Sequence, residues 1–259
     1  MRPLLVVLGL LSLLAPAAPS TADDPARSGP DPVGKVVAVE GRVQATLGAD
    51  TRRVERGEAV YRDDWIETEP KSRAKIRLDD ETELVVGPSS RIHLDEFVYD
   101  ASAGTGQVLV EIGVGLLRFT SGVLEPEGYE VKTPVASIGV RGTLFDTIVE
   151  FATTVILREG KISVASLVKS RIVDQADHAS EVRGSGEEPS EPRPATKEEE
   201  DRTDPLKRPF RDEIQSNRLR PNLPTAVTKP NLPSHSPPMP SQHLPPTQPK
   251  GPPSRPGRY

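Results

Sequence analysis

The distribution of proline divides this chain into three parts, and only the middle part is compatible with a packed domain. Of the 28 prolines, six lie in residues 1–32, four in residues 33–183 and eighteen in residues 184–259. Proline lacks a backbone donor and is largely excluded from the interiors of helices and sheets. The middle block of about 150 residues is long enough to bury a core of its own. Because the chain has no cysteine, neither disulfides nor thiol-bound zinc add to that core.

The first 22 residues have the organisation of a secretory signal peptide. Arg2 supplies a positive start, residues 4–14 form an apolar run, and small residues follow it. A run of this length matches a signal-peptide core and is well short of the ~20 residues needed to span a bilayer. We therefore predict cleavage after Ala22, a polar leader over residues 23–32, and a periplasmic or secreted protein with no transmembrane span. An uncleaved N-terminal anchor is the alternative.

Residues 33–183 have the pattern of an all-β domain. Short runs in which apolar and polar residues alternate are separated by charged or glycine-containing turns. The runs recur about every 8 to 12 residues, which predicts a single domain of many short strands, either a β-sandwich or a β-roll or solenoid. Two Glu-Gly pairs, Glu40-Gly41 and Glu159-Gly160, indicate equivalent hairpin turns at the start and the end of one sheet.

The C-terminal part of the chain, residues 184–259, is too polar to offset the entropy of ordering it, and we predict a disordered, proline-rich tail. Residues 184–204 have 3 basic and 8 acidic residues, whereas residues 205–259 have 9 basic and 2 acidic residues. A basic segment of this kind favours an anionic partner. We therefore expect residues 205–259 to attach to an anionic surface or to fold back on the acidic domain.

The stretch from Val131 to Val149 combines strong strand signals with the most specific turn residues of the chain. Glycine within a strand marks a bulge or a close backbone approach. Arg141 lies between Gly139 and Gly142, where an arginine either caps a sheet end or contacts a ligand. We expect this stretch mainly to redirect strands, so that Gly142→Val unfolds the domain. The candidate structural or ligand-contact residues are Thr133, Pro134, Gly139, Arg141, Gly142 and Thr143.

The middle block offers little material for catalysis or for metal binding. Its interior holds a single histidine, His93, in an alternating strand. Asp63-Asp64 and Asp79-Asp80 lie at predicted turns, where aspartate side chains bond to nearby backbone groups. No spacing matches a calcium-binding loop or a phosphate-binding loop. We predict no catalytic, cofactor-binding or metal-binding residues and no enzymatic activity; an envelope hydrolase that uses these acids is an alternative.

Several motifs, in their order along the chain, resemble a FecR domain over roughly residues 34–165. They are Trp65-Ile66-Glu67-Thr68, Ala74 with Ile76-Arg77-Leu78-Asp79, Gly115-Leu116, Thr133-Pro134 and Val140-Arg141-Gly142-Thr143-Leu144-Phe145. The resemblance implies an all-β module outside the cytoplasm. In transmembrane FecR regulators this module senses a partner at the outer membrane and relays a signal to a cytoplasmic sigma factor.

The chain departs from those regulators in two places. Only Met1, Arg2 and Pro3 precede the apolar segment, so we expect no cytoplasmic part that holds a sigma factor. Asp80-Glu81 replaces the family's common Asp-Gly turn, and because Glu disfavours positive φ we expect a turn longer than two residues. We predict a non-enzymatic module that recognises a protein or glycan of the cell envelope and no nucleic acid. The alternative is a membrane-anchored FecR-type signalling regulator.

Overall fold

The computed structural model describes residue 30 and residues 32–214. The predicted signal peptide, nearly all of the predicted leader and residues 215–259 lie outside this part of the chain. The described elements are β1 (Pro32–Glu40), β2 (Val43–Leu47), β3 (Asp50–Arg53), β4 (Ala59–Tyr61), β5 (Trp65–Thr68), β6 (Arg73–Leu78), β7 (Glu83–Val86), β8 (Arg91–Asp100), β9 (Thr105–Thr120), a 3₁₀ turn (Pro126–Gly128), β10 (Tyr129–Lys132), β11 (Ser137–Val149), β12 (Thr153–Ala165), β13 (Ser170–Val173), β14 (His178–Val182), β15 (Arg193–Pro194) and the helix α1 (Lys197–Lys207).

All fifteen strands belong to one hydrogen-bonded sheet, which folds over on itself into two layers. Layer A has the strand order β3-β2-β5-β8-β9-β10-β11-β12-β13. Layer B has the order β4-β1-β6-β7-β9-β11-β12-β14-β15. The long strands β9, β11 and β12 run through both layers, because one half of each pairs in layer A and the other half pairs in layer B. The predicted all-β fold is confirmed, and its layers come from one continuous sheet.

The space between the two layers is filled by a single apolar core. Alternate side chains from both layers point into it, among them Val36 of β1, Ile66 of β5 and Ile162 of β12. Phe119 and Phe145 stack at the centre with their ring centroids 5.4 Å apart. Each fully buried side chain of this size contributes about 1.5–3 kcal/mol, so the core suffices without cross-links.

The long strands cross between the layers at bulges. In β11 the register shifts at Gly142, which has φ +63. Gly160 of β12 lies opposite with φ +84, and a Cβ there would come 2.2 Å from the carbonyl oxygen of Gly142. Glycine is therefore required at Gly160 for lack of space as well as for its backbone conformation. At Gly142 no atom lies within 4 Å of such a Cβ, so only the conformation favours glycine.

The two Glu-Gly pairs are not the hairpin turns that we expected. Glu40-Gly41 connects β1 of layer B with β2 of layer A, and these two strands do not pair with each other. Glu159-Gly160 lies inside β12, where that strand passes from layer B to layer A. The sequence pattern could not separate these cases, because a sharp change of direction needs the same residues in a hairpin and in a crossing. The two pairs are equivalent as crossing points.

The hairpin between β6 and β7 has a three-residue loop, in agreement with the prediction of a turn longer than two residues. The amide of Leu78 donates to the carbonyl of Thr82 at 2.9 Å, and the amide of Glu81 donates to the carbonyl of Leu78 at 3.0 Å. Glu81 itself adopts φ +69. A loop of this type places its third residue in the left-handed region, so the longer turn does not spare Glu81 a positive φ.

Residues 184–214 differ from the predicted disordered tail, because they form ordered structure against the sheet. Helix α1 begins with a capping box, in which Thr196 and Glu199 satisfy each other's backbone amides. Leu206 in the last turn of the helix and Phe210 beyond its end are buried. The prediction weighed apolar content alone, whereas this segment is held by a helix cap, ion pairs and two apolar side chains. We call residues 195–214 the cover segment.

Candidate functional site

The outer face of layer A carries a row of side chains that are neighbours across six strands. Each residue is the register partner of the next, and each is half-buried. The members of this layer A row are Trp65, His93, Glu111, Lys132, Ser137 and Ala165. The strand periodicity explains the arrangement, since residues at alternate positions of paired strands share one face.

An aromatic cluster forms one end of the row. The rings of Trp65 and His93 stack at a centroid distance of 4.4 Å and an interplanar angle of 10°. The guanidinium carbon of Arg91 lies 4.2 Å from the Trp65 ring, and its Nε is 3.0 Å from the carboxylate of Glu67. On the other side of His93, Nδ1 lies 3.6 Å from Glu111 Oε2. These neighbours fix the indole in place and occupy much of its surface.

A groove of about 540 Å³ lies beside the row, over β10 to β13. Its apolar lining includes Ile172, which is 51% exposed. The charged residues along it have both signs: Arg141 and Lys161 are basic, and Glu127 and Glu130 are acidic. A concave site with apolar surface and a few polar groups has the composition of a ligand-binding site.

Gly139 lies in the wall of this groove, and it is not at a bulge as the sequence predicted. The strand keeps its register there, with Gly139 paired to Glu130 and to Ser163. A Cβ at Gly139 would meet only the Cβ of Ser163, at 3.8 Å. The backbone therefore does not require glycine at this position, and its missing side chain leaves space in the groove.

Thr133 and Pro134 form the turn between β10 and β11. The Thr133 amide donates to the carbonyl of Ala136 at 2.8 Å, and the Thr133 hydroxyl accepts from the Ala136 amide at 2.9 Å. Thr153 also donates to that hydroxyl, at 2.9 Å. These contacts give Thr133 a structural role, while Pro134 is exposed at the tip of the turn.

Arg141, Gly142 and Thr143 end up in different environments although they are adjacent. The Arg141 side chain is 66% exposed, and its Nη2 pairs with Glu127 Oε1 at 3.2 Å. Gly142 is at the layer crossing, as the bulge prediction requires. The Thr143 side chain is buried, and its backbone amide donates to Ser121 Oγ at 3.0 Å. Of the six candidates, the groove therefore includes Gly139 and Arg141.

Each acidic pair consists of one buried residue and one exposed residue. Asp64 accepts hydrogen bonds from both terminal nitrogens of Arg52, at 2.8 and 2.5 Å, and from the Tyr61 amide at 2.8 Å. Asp63 is exposed in the same turn. The buried carboxylate is occupied by contacts that shape the turn, as expected for aspartate at such positions.

The second pair follows the same rule. Asp80 accepts from the Thr82 amide at 3.1 Å, from the Thr82 hydroxyl at 2.6 Å and from the Tyr129 hydroxyl at 2.9 Å, whereas Asp79 is exposed. Burial, followed by the charge of Asp80, raises the pKa of Tyr129 well above its usual range. Tyr129 thus stays neutral and joins the loop between β6 and β7 to the core.

The structure brings Asp63, His93 and Asp95 together, which the sequence did not predict. Their nearest ligand atoms lie within 4.8 Å of one another. Asp63 has φ +67, and its amide donates to the carbonyl of Leu94 at 2.7 Å, which holds the turn against β8. Two carboxylates and one imidazole fall short of the six to eight oxygens that calcium takes.

Among the residues described, no helix combines the length and the apolar character that crossing a bilayer demands.

Comparison with known proteins gives one family match. Residues 64–163 match the family model described as FecR protein. None of the curated proteins matches the sequence. Among solved structures, the chain is similar to two crystal structures, at 1.65 and 2.50 Å resolution, of a chain from Parabacteroides distasonis ATCC 8503 described as a "putative anti-sigma factor".

Both structural matches have a TM-score of 0.41 and 18% sequence identity, and they cover 51% of this chain. This chain spans 59% of the length of the chain in those structures. The family match begins in the turn before β5 and ends within β12, and so it includes the Trp65 motif and the stretch around Arg141. The resemblance to a FecR domain found in the sequence is thereby confirmed for residues 64–163.

Proposed function

We propose that the folded part of this chain is a non-enzymatic FecR-type module that binds a protein partner of the cell envelope through the outer face of layer A. The observation that carries the proposal is the groove of about 540 Å³ beside the layer A row. In it, exposed apolar surface at Ile172 adjoins charged groups of both signs. Protein interfaces combine an apolar or aromatic centre with a polar rim in this way.

A protein fits this face better than a glycan does. Sugar recognition by stacking needs a free aromatic face, whereas Trp65 already contacts His93 and Arg91 at 4.4 and 4.2 Å. The groove offers Arg141 and Lys161 on one side and Glu130 on the other, which suits the mixed charges of a polypeptide. The glycan alternative is kept as an outcome of the test below.

The location outside the cytoplasm is part of the proposal and rests on the signal-peptide pattern of residues 1–22 together with the family. Cleavage after Ala22 distinguishes the proposed envelope module from the membrane-anchored regulator. Intact-mass measurement of the exported protein is expected to give a chain that begins at Asp23. A chain that retains Met1 would support the anchored regulator instead.

The non-enzymatic character is supported by the engagement of the buried acids. Asp64 and Asp80 are used in hydrogen bonds that hold turns, which leaves the exposed Asp63 and Asp79 as the acids open to substrate. We expect a chain with both Asp63→Asn and Asp79→Asn to rescue a deletion strain fully. A folded double variant that fails to rescue would favour the envelope hydrolase.

The binding test compares four forms of the full-length mature protein, each immobilised and exposed to an envelope extract. Gly139→Leu fills the groove without backbone strain, and Ile172→Lys places a charge on its apolar lining. Phe151→Ser is the matched control, because Phe151 is fully exposed in the turn between β11 and β12. A partner retained by the wild type and the control, and about tenfold less by both groove variants, supports the proposal.

Equal retention by all four forms would exclude the groove as the binding site, provided that thermal unfolding shows the variants to be folded. A partner that survives protease treatment of the extract and is lost after glycan removal would establish the glycan alternative. The attachment of residues 205–259 to an anionic surface is a separate proposal. Lys207, Arg208 and Arg211 belong to the cover segment, and the other six basic residues lie outside the described residues.

A further inference from the structure

The outer face of layer B also carries a row of register partners, and the chain itself packs on it. The row contains four apolar and three charged residues. Its members are Ala38, Lys75, Val85, Arg118, Asp146, Ile156 and Ala179. Most of the row is buried, and the side chains that cover it come from the cover segment.

Two apolar side chains of the cover segment insert into this face. Leu206, near the end of α1, and Phe210, four residues later, pack with Ala38, Val85 and Leu116. Both are almost completely buried, with 3% and 2% of their surface exposed. Leu206 inserts from the helix, whereas Phe210 inserts from the extended segment that follows the helix end at Lys207.

A buried ionic network lies under the helix. Asp146 is fully buried between Arg118, whose nitrogens are 2.7 and 2.9 Å from its oxygens, and Arg158, whose Nε is 2.8 Å away. Outside the helix, Asp177 is a second carboxylate partner, with Oδ1 2.7 Å from Arg158 Nη1. Glu200 of α1 supplies a third carboxylate, with Oε1 2.5 Å from Arg158 Nη1, and Thr203 accepts from Arg158 Nη2 at 3.1 Å. Arg158 thus joins the buried carboxylate of the sheet to the helix.

Arg73 provides a second site, at the C-terminal end of the helix. Its side chain is 8% exposed, and Nε is 2.9 Å from Glu40 Oε2. Its terminal nitrogens donate to three backbone carbonyls of the cover segment, those of residues 205, 208 and 209, at 2.9, 2.6 and 2.8 Å. The guanidinium carbon also lies 4.1 Å from the ring of Phe210. Carbonyls after a helix end have no intrahelical partner, so this arginine recognises a helix terminus in any sequence.

The cover segment has little structure of its own to contribute. Helix α1 has 11 residues, includes Pro205 and is mostly charged. Isolated helices shorter than about 12–15 residues are marginal in water. The helix therefore depends on the sheet, as a docked peptide does. The covering residues also lie beyond residue 163, where the family match ends.

We propose that the outer face of layer B is a peptide-docking face, that the cover segment is its intramolecular ligand, and that an acidic helical segment of another protein competes for it. The face defines the chemistry of that competitor. The competitor has a carboxylate that pairs with Arg158, a leucine-sized side chain six residues later and an aromatic residue four residues after that. It also has a helix end whose backbone carbonyls accept hydrogen bonds from Arg73. Binding of the competitor displaces residues 195–214. This proposal is independent of the groove on layer A.

The test uses the full chain with its cover segment loosened by Leu206→Ser and Phe210→Ser, which leaves every residue of the sheet unchanged. The probe is a labelled synthetic peptide of residues 195–214, and the matched control peptide contains the same two serines. We expect the loosened chain to bind the probe about tenfold or more tightly than the wild type does, because a tethered ligand competes at an effective concentration in the millimolar range. We expect the control peptide to bind at least about tenfold more weakly.

A second, milder variant is tested in case the loosened chain does not fold. Glu200→Gln with Arg202→Gln removes two ionic contacts of the helix and keeps both apolar anchors, and it is expected to bind the probe with intermediate affinity. The proposal is overturned if a loosened chain with native circular dichroism does not bind the probe, or if it binds both peptides equally. A loosened chain that forms dimers, with the probe unable to dissociate them, would assign the face to a second copy and overturn the competitor.

Discussion

On the outer face of layer B, Asp146 lies between Arg118 and Arg158 under a helix. On the outer face of layer A, Glu111 lies between His93 and Lys132 and is half-buried. Both carboxylates occupy the middle of a row that crosses the sheet, and both have basic side chains as neighbours. They differ because the chain passes over layer B between residues 195 and 214.

This difference changes the energetics of the two rows. Exposed ion pairs contribute about 0–1 kcal/mol, because water and salt screen them. A buried carboxylate whose removal leaves two arginines without compensation is far more costly to lose. Similar strand patterns can therefore produce a face that tolerates substitution and is open to partners, and a face that is part of the folded structure. The predictions below test this contrast.

The largest effect is expected from Asp146→Ala. The substitution removes the one carboxylate that Arg118 and Arg158 share and leaves Arg118 without its buried partner, and we expect a loss of about 3–5 kcal/mol in the free energy of unfolding. The matched change on layer A, Glu111→Ala, is expected to cost less than about 1 kcal/mol. Urea denaturation of the two variants measures both values. Equal losses would mean that the cover segment does not set the energetic difference between the faces.

A smaller and more local effect is expected from Arg73→Lys. Lysine keeps the charge but has a single nitrogen to replace the three that bind Glu40 and the carbonyls of residues 205, 208 and 209. We expect the free energy for opening the cover segment to fall by about 2 kcal/mol. Hydrogen exchange should then speed up in residues 197–214 and stay unchanged in the strands around Phe119. Faster exchange throughout the sheet would contradict a local role.

The sequence predicted the strand content because apolar alternation is a local property. The all-β pattern was expected to begin at residue 33, and β1 begins at Pro32. The bulge expected at a glycine within a strand occurs at Gly142. Gly142 also shows the limit of the local argument. Its surroundings leave room for a Cβ, so Gly142→Val is expected to strain the backbone by about 1–3 kcal/mol instead of unfolding the domain outright.

The rows, the groove and the cover segment could not be predicted in this way. The alternation of apolar and polar residues predicts strands but not which strands pair with each other. The sequence therefore does not predict that Glu130 lies opposite Gly139 or that Lys161 lies opposite Arg141. For the cover segment a signal was present: Thr196 and Glu199 have the spacing of a capping box. It was outweighed by low apolar content, because the stabilising partners of this segment, such as Arg73 and Arg158, are more than 40 residues away along the chain.

Acid is expected to loosen the cover segment on layer B. Hydrogen bonds from Arg158, Arg193 and Arg73 respectively lower the pKa of Glu200, Glu199 and Glu40 below the ordinary value of about 4.3. A lowered pKa in the folded state gives stability that is present above the ordinary pKa and is lost as the pH falls through the folded pKa. We therefore expect the cover segment to loosen as the pH falls below about 4.3.

Hydrogen exchange of residues 197–214 between pH 6 and pH 3.5, corrected for the intrinsic rates, measures this loosening. Glu200→Gln is the control and should remove part of the pH dependence. A variant with the same pH dependence as the wild type would show that Glu200 does not contribute.

The smallest effect is expected from Glu81→Gly, which touches neither outer face. Glu81 adopts φ +69 in the loop between β6 and β7, and glycine takes this conformation without steric cost. Because glycine also gains freedom in the unfolded chain, the net stabilisation should be only about 0.5–1 kcal/mol. Urea denaturation measures the gain. Exchange in the cover segment should remain as in the wild type, since a gain in global stability does not alter local opening. If the cover segment instead became more protected, its opening would be coupled to unfolding of the sheet, and the two faces could not be treated as separate.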